Sequence, residues 1–331
     1  MKSKKGAILI TTLWILSLLT LLAVGIGTRM GVDIKLIGFS LNSLKAHYIA
    51  KAGVLRAITL IEDDHDTLLD YLKETWATGY DFGEEEYLLK GIEIGEGFFT
   101  VGYKFGESLE GKAIDLYGSS DEESRININK AGTDVLSLLP GVTTEIAASI
   151  IDWRDEDSIE TDYFGSRGAE DKYYKEELEN PYDCKNAPFS VPEELTLVKG
   201  MTWDIYDGLK DLITVYGEDD KVNINTVSLE MLNVLLGQEG FEERPLKILN
   251  VRSGFDDVPG TEDDDIIRDI KGFAFKYELT ESQMKYFKMS TNTFRIKSTG
   301  MLKSSKVKKT IEVVVARKKN EGITPLYYYE D

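Results

Sequence analysis

The stretch KSKKGAILITTLWILSLL, residues 2–19, decides how the rest of the chain is read. Three lysines stop at Gly6, and from Ala7 to Gly27 there is no charged residue; the next charge is Arg29. At ~1.5 Å per residue that run makes a helix of about 31 Å, the thickness of a bilayer's hydrocarbon core. A secretory signal would have a shorter apolar core ending in a small-residue cleavage motif, and none occurs here. Lys2, Lys4 and Lys5 place the short N-terminal side in the cytoplasm and everything beyond about residue 30 across the membrane.

Past the apolar run the period becomes helical and one-sided. Ile37, Leu41, Leu44, Tyr48, Ala52 and Leu55 recur at helical spacing, with Lys45, Lys51 and Arg56 on other faces, which predicts one buried stripe. No proline or turn cluster intervenes. The expectation is one helix from about Ala7 to about Ile61, its first half in lipid and its second half packed on a soluble domain.

A basic leader, a glycine and an apolar helix that turns amphipathic together resemble the type IV pilin class. That resemblance implies cleavage by prepilin peptidase between Gly6 and Ala7, with Ala7 as the new N-methylated terminus. The class generally carries a glutamate five residues after the cut, and here Thr11 stands there. A carboxylate in hydrocarbon is costly unless a neighbouring charge meets it. A subunit without one needs no partner above it and suits the end of a fibre.

Composition bounds the remainder. A formal charge of −19 argues against a nucleic-acid or anionic-lipid surface and fits a solvated domain that can collect cations. The lone Cys184 can form no internal disulfide, and His47 and His65 are too few and too scattered for a transition-metal site. Residues 92–118, IEIGEGFFTVGYKFGESLEGKAIDLYG, alternate apolar and polar and read as two or three antiparallel strands. Residues 293–319, TFRIKSTGMLKSSKVKKTIEVVVARKK, read as a hairpin turning near Lys303 to Ser305. The acid-rich, helix-period block between them predicts an α+β host with an inserted all-α domain. The divisions expected are a leader at 1–6, a membrane segment at 7–28, a core at 29–120 and 290–331, and an insert at 121–289.

The insert contains a repeat. RININKAGTDVLSLLPG from Arg125 recurs as KVNINTVSLEMLNVLLG from Lys221, and IIDWR at 150–154 recurs as ILNVR at 248–252. Each unit predicts an extended entry, an Asn or Thr cap, a helix, a glycine turn and a second helix, with the Asn residues as caps and turn-formers. Residues 192–217, PEELTLVKGMTWDIYDGLKDLITVYG, suggest a further helical pair. LSLLPGVTTEIAASII at 136–151 has a helix-hairpin-helix outline, a motif that holds DNA phosphates. Val142 and Thr143 stand where a phosphate-binding loop favours glycine, and Glu145, Asp152 and Asp155 surround the hairpin. Electrostatics therefore opposes DNA.

In order along the chain, KKGAILITTLWILSLL, HYIAKAGVLRAI, SRININKAGTDVLSLLPG, DWRDEDS, GAEDKYY, ELTLVKGMTWDIYDGL, VNINT and PLYYYED resemble the minor pseudopilin K family of type II secretion, also called general secretion pathway protein K. The resemblance implies a type IV pilin-like fold interrupted by an α-domain, with no enzymatic activity. It implies a single-pass inner-membrane protein whose large domain is periplasmic. It also implies a place at the pseudopilus tip with minor pseudopilins I and J, prepilin peptidase as processing enzyme, and a surface open to secreted proteins. The alternatives are a minor pilin of a type IV pilus and a membrane-tethered DNA-uptake receptor.

Carboxylates dominate 152–183, with twelve acidic residues against Arg154, Arg167, Lys172 and Lys175. Such runs are ordinarily solvated faces. Asp152, Asp155 and Asp157 share a helix exit, however, and Glu170 and Asp171 follow a glycine-bearing loop. Hard oxygen donors without His or Cys select calcium or magnesium, and a flexible loop favours calcium. The family resemblance adds calcium in the α-domain. The expected first site is drawn from Asp152, Asp155, Asp157, Glu170 and Asp171. A second lies in GFDDVPGTEDDDI, from Asp256, Asp257, Glu262, Asp263 and Asp265 beside Asp264.

Overall fold

The computed structural model describes residues 4–107, 113–237, 243–319 and 321–331, so the first three residues of the expected leader lie outside it. A single helix runs from Lys4 to Glu62. Its hydroxyls are turned back onto its own backbone: Thr11 reaches the Ala7 and Ile8 carbonyls, Ser17 that of Leu13, and Thr28 that of Gly25. In hydrocarbon this satisfies groups that water would otherwise serve. From Ala7 the helix is long and apolar enough to cross a membrane, and among the described residues nothing buries that part.

The second half lies on an antiparallel sheet, but not by the predicted stripe. Ala46, Ile49, Ala50, Val54, Ala57, Leu60 and Ile61 are buried, whereas Ile37, Leu41, Leu44, Tyr48 and Leu55 are more than half or half exposed. At ~100° per residue the two sets lie on opposite faces. The sheet-facing set is small because the backbones come close. A Cβ on Gly300 would sit 2.3 Å from the Ala46 carbonyl oxygen, and one on Gly53 would sit 2.2 Å from the Ser298 hydroxyl.

Across the sheet the strands run Gly322–Glu330, Lys308–Lys318, Thr293–Leu302, Gly97–Val101, Ile92–Ile94. Every pairing is antiparallel. Val101, Phe99, Phe294, Ile296, Ile311, Val313 and Val315 form the core under the helix, each burial contributing about 1.5–3 kcal/mol. The sheet's sixth member is the two-residue strand Ser120–Asp121, which pairs with Arg295 and Phe294. The chain therefore leaves and rejoins the sheet on adjacent rungs. Tyr103–Glu107 and Ala113–Leu116 form a separate hairpin.

Between the rungs lies a second core, from Ile126 to Phe287, built of short helices. The repeat read in the sequence reappears as repeated contacts. Asn129 N donates to Asn127 Oδ1 and Asn225 N to Asn223 Oδ1. The Asn129 side chain is clamped to the Phe189 backbone through both its atoms, and Asn225 to the Ile267 backbone in the same way. Arg154 donates to the Ile128 and Ala131 carbonyls; Arg252 donates at 2.7 Å to those of Ile224 and Val227, the equivalent residues. The asparagines thus make turns and hold neighbouring loops. Helix capping falls to Thr143, Ser228 and Thr280, whose hydroxyls accept from backbone amides one turn on.

A carboxylate centre and a buried joint

The first carboxylate group is built by the exit from helix Thr144–Arg154 and the entry to helix Asp171–Glu176. Ile146, Ala147, Ile150 and Trp153 anchor the first helix in the core. This fixes Asp152 on its last turn and Asp155 just past its end. Asp152 is 0% exposed: Oδ1 accepts from Thr161 N at 2.8 Å, and Oδ2 has no hydrogen-bond donor. Gly168 makes room for it, since a Cβ there would lie 2.0 Å from Asp152 Oδ2.

Asp155, Asp157 and Glu170 each bring an oxygen within 4.8 Å of the others. Glu170 is 4% exposed and neither of its oxygens meets a donor; Asp155 Oδ1 is likewise buried and unpaired. Burial pushes Glu170 up to about 7, with the charges of Asp152 and Asp155 adding to it. Asp155 rises to about 6, again through burial first and the nearby Asp157 next. Asp171 stands apart from the group. Its oxygens are taken by Lys175 Nζ at 2.9 Å and Cys184 N at 3.0 Å, and the Lys175 partner holds its carboxyl below the usual range. One oxygen that the sequence reading missed belongs to Asn186. Its Oδ1 is buried without a partner, while its Nδ2 donates to the Asp157 carbonyl at 3.2 Å.

The second group lies at the equivalent place in the second repeat, after Arg252. Here Asp256, Asp263 and Asp264 gather. Glu262, Asp257 and Asp265 stay exposed, and Asp265 Oδ1 accepts from Ile266 N. The environment differs from that of the first group. Thr261 Oγ1 lies 2.8 Å from Asp263, 3.2 Å from Asp264 and 3.3 Å from Asp256. Phe255 N, Val258 N and Gly260 N donate to the same three carboxylates.

A third gathering of acids was not foreseen, because in sequence it reads as solvated loop. Asp121 is buried on Asn223 Nδ2 and Thr226 Oγ1, and burial pushes it up to about 6. Glu122, fully buried, is gripped by Arg295, Arg125 and Thr214. Although burial opposes ionisation, the two guanidiniums hold it down at about 2. Glu123 pairs with Lys288 and accepts from Thr293 Oγ1 at 2.6 Å. Asn223 Nδ2 also donates to the Asp70 carbonyl. Arg317 bridges the Asp70 and Asp64 carboxylates. These groups fasten the helical insert to the sheet.

An apolar helix long enough to cross a membrane continues as the spine of an antiparallel sheet, and a helical insert enters between two rungs, which defines the class by its build: an α+β chain on one long N-terminal helix. Residues 125–218 match the family described as type II secretion system (T2SS), protein K. Among solved structures, a chain of the GspK–GspI–GspJ complex of the type 2 secretion system of enterotoxigenic Escherichia coli is similar, with a TM-score of 0.56 at 18% identity. The likeness covers 92% of this chain and 99% of that one. No curated protein matches the chain.

Proposed function

We infer that the protein is a minor pseudopilin of the type II secretion pseudopilus, seated at its tip with the minor pseudopilins I and J. The observation that carries this reading is the unbroken helix Lys4–Glu62, membrane-suited at one end and sheet-bound at the other, in a chain whose insert matches protein K. Its role is structural and not catalytic. The large domain lies in the periplasm, anchored in the inner membrane by one span. Thr11, hydrogen-bonded to its own helix in place of a glutamate, leaves the subunit without a need for a partner above it. The two repeat units are helix-hairpin-helix-like supports for the tip and not DNA-binding elements, given the acids around them. Gly6 and Ala7 mark the processing point, with Ala7 N-methylated.

The unpaired oxygens of Asp155 and Glu170 fit a hard divalent cation, for which calcium is the choice among oxygen-only ligands; Asp152, foreseen as a ligand, is not part of the gathered group. Asp157 completes the group. Such an ion would neutralise carboxylates that folding otherwise forces together.

The test is co-purification of the detergent-solubilised full chain with pseudopilins I and J. A stable complex is expected, and its absence with both partners folded refutes the reading. Mass spectrometry should find methylated Ala7 at the N-terminus, and a bulky replacement of Gly6 should leave the lysine leader attached.

A further inference from the structure

We propose that the cleft between the helical insert and the sheet face turned away from the long helix is a binding site for a glycan, a chain of sugar rings without net charge.

The strand Thr293–Leu302 divides its side chains between two faces. Phe294, Ile296 and Ser298 are buried on the helix side, where Gly300 meets Ala46, so Arg295, Lys297 and Thr299 point the other way. On that second face Thr299 stands in register with Thr100 and Lys297 with Glu312, while Arg295 and Tyr327 flank Val314. With the insert they enclose a cleft of about 790 Å³, the size of a small-ligand site. Five tyrosines line it: Tyr103 and Tyr117 from the separate hairpin and its exit, Tyr206 and Tyr216 from the insert, and Tyr327 from the last strand. All but Tyr206 are half-buried, and the rings of Tyr216 and Tyr327 have centroids 6.3 Å apart.

The lining selects its ligand by charge first. Five lysine and arginine side chains stand against four aspartates and glutamates, in a chain of formal charge −19. Each of those cations already faces a carboxylate: Arg295 meets Glu122 and Glu312, Lys297 meets Glu312, and Arg125 meets Glu122. Lys104 meets Asp115, and Lys210 meets Asp207. A phosphate or an acidic peptide would have to displace a partner to be held there. An extended peptide lacks a foothold for another reason. The floor is the face of a sheet, whose backbone groups are spent within the sheet, so there is no ladder for a further strand to join.

Sugar rings meet what remains. Each has an apolar C–H face and a rim of hydroxyls that both donate and accept. Half-buried tyrosine rings give the first a flat partner with a polar tip. Threonine and tyrosine hydroxyls, set among paired charges, give the second donors and acceptors side by side.

The experiment is saturation-transfer NMR with calorimetric titration of the full chain, held in a detergent without a sugar headgroup. The probes are the tetramer of N-acetylglucosamine, cellotetraose and maltotetraose. At least one should bind, with saturation reaching the C–H protons of its rings. Binding by the N-acetylated tetramer points to cell-wall strands and binding by the glucans to unacetylated chains; either supports the site. Tyr216→Ala and Tyr327→Ala should each weaken binding about tenfold, whereas Tyr327→Phe, which keeps the ring, should stay within about threefold. Tyr328→Ala should change nothing, because Tyr328 pairs with Val313 on the helix side of the sheet. No binding by any probe at millimolar concentration overturns the proposal, as do equal losses in Tyr327→Ala and Tyr328→Ala. Binding of reduced, unfolded α-lactalbumin in place of the sugars would make the cleft a peptide site and overturn it as well.

Discussion

At the scale of single residues, the acids at 121–123 matter most for holding the insert. Glu122 exchanges hydration for two guanidiniums and a hydroxyl, so removing it leaves a void beside Arg125 and leaves Arg295 with Glu312 as its carboxylate partner. Glu122→Ala is expected to destabilise the fold by about 3–5 kcal/mol, the cost of breaking a buried pair from one side. Urea unfolding followed by tryptophan fluorescence would measure it; a change below the error of the midpoint would refute the assigned role. The repeat clamps offer a paired test. Arg154→Lys and Arg252→Lys keep the charge but cannot reach two carbonyls with a rigid fork, so each should cost about 1–3 kcal/mol. Unequal costs would show that one unit carries the insert. The repeat itself was readable because it preserves these bonding residues in register. Asp121, Glu122 and Glu123 were not: an acidic triplet in an acidic chain reads as solvated, and only its distant partners Arg295, Lys288 and Asn223 reveal burial.

At the scale of elements, the long helix shows what periodicity conveys and what it leaves out. Its existence and extent were legible, since nothing between Ala7 and Ile61 interrupts it. The face it buries was read wrongly, because ranking by bulk selects Leu41, Leu44, Tyr48 and Leu55. Close helix–sheet contact instead selects Ala46, Ala50, Gly53 and Ala57. Gly300→Val should therefore lift the helix from the sheet and lower the urea midpoint markedly, whereas Leu44→Ser should leave it unchanged. Limited proteolysis would separate the cases through new cleavage near Ala46 in the first variant only. Normal resistance in Gly300→Val would contradict the packing described. The carboxylate sites were legible in part: Asp155, Asp157 and Glu170 come together as spacing suggested. The Lys175 partner of Asp171 and the free oxygen of Asn186 depend on tertiary contacts that spacing does not encode.

At the scale of the whole molecule, the joint makes stability depend on pH. Burial raises Glu74 to about 8 and Asp70 to about 7, with Arg317 pulling Asp70 back only in part. A carboxyl whose folded value lies above its unfolded value binds more protons when folded, so stability falls as pH rises between the two values. From about pH 5 to pH 8 the melting temperature should decline. Glu74→Gln retains an acceptor for Tyr71 N and Trp76 Nε1 while removing the titrating group, and should flatten the upper part of that decline. An unchanged profile would show that Glu74 does not titrate there.

The entry and exit of the insert face one another as Ser120–Arg295 and Asp121–Phe294. A gap of about one strand spacing, ~5 Å, is all that any replacement would have to span. The helical part is thus a cassette spliced into a seam. Excised and replaced by a tight turn, it would leave the spine and its sheet with the same ends in the same places. The insert can accordingly be reworked, enlarged or exchanged without redrawing the long helix and the strands that carry it.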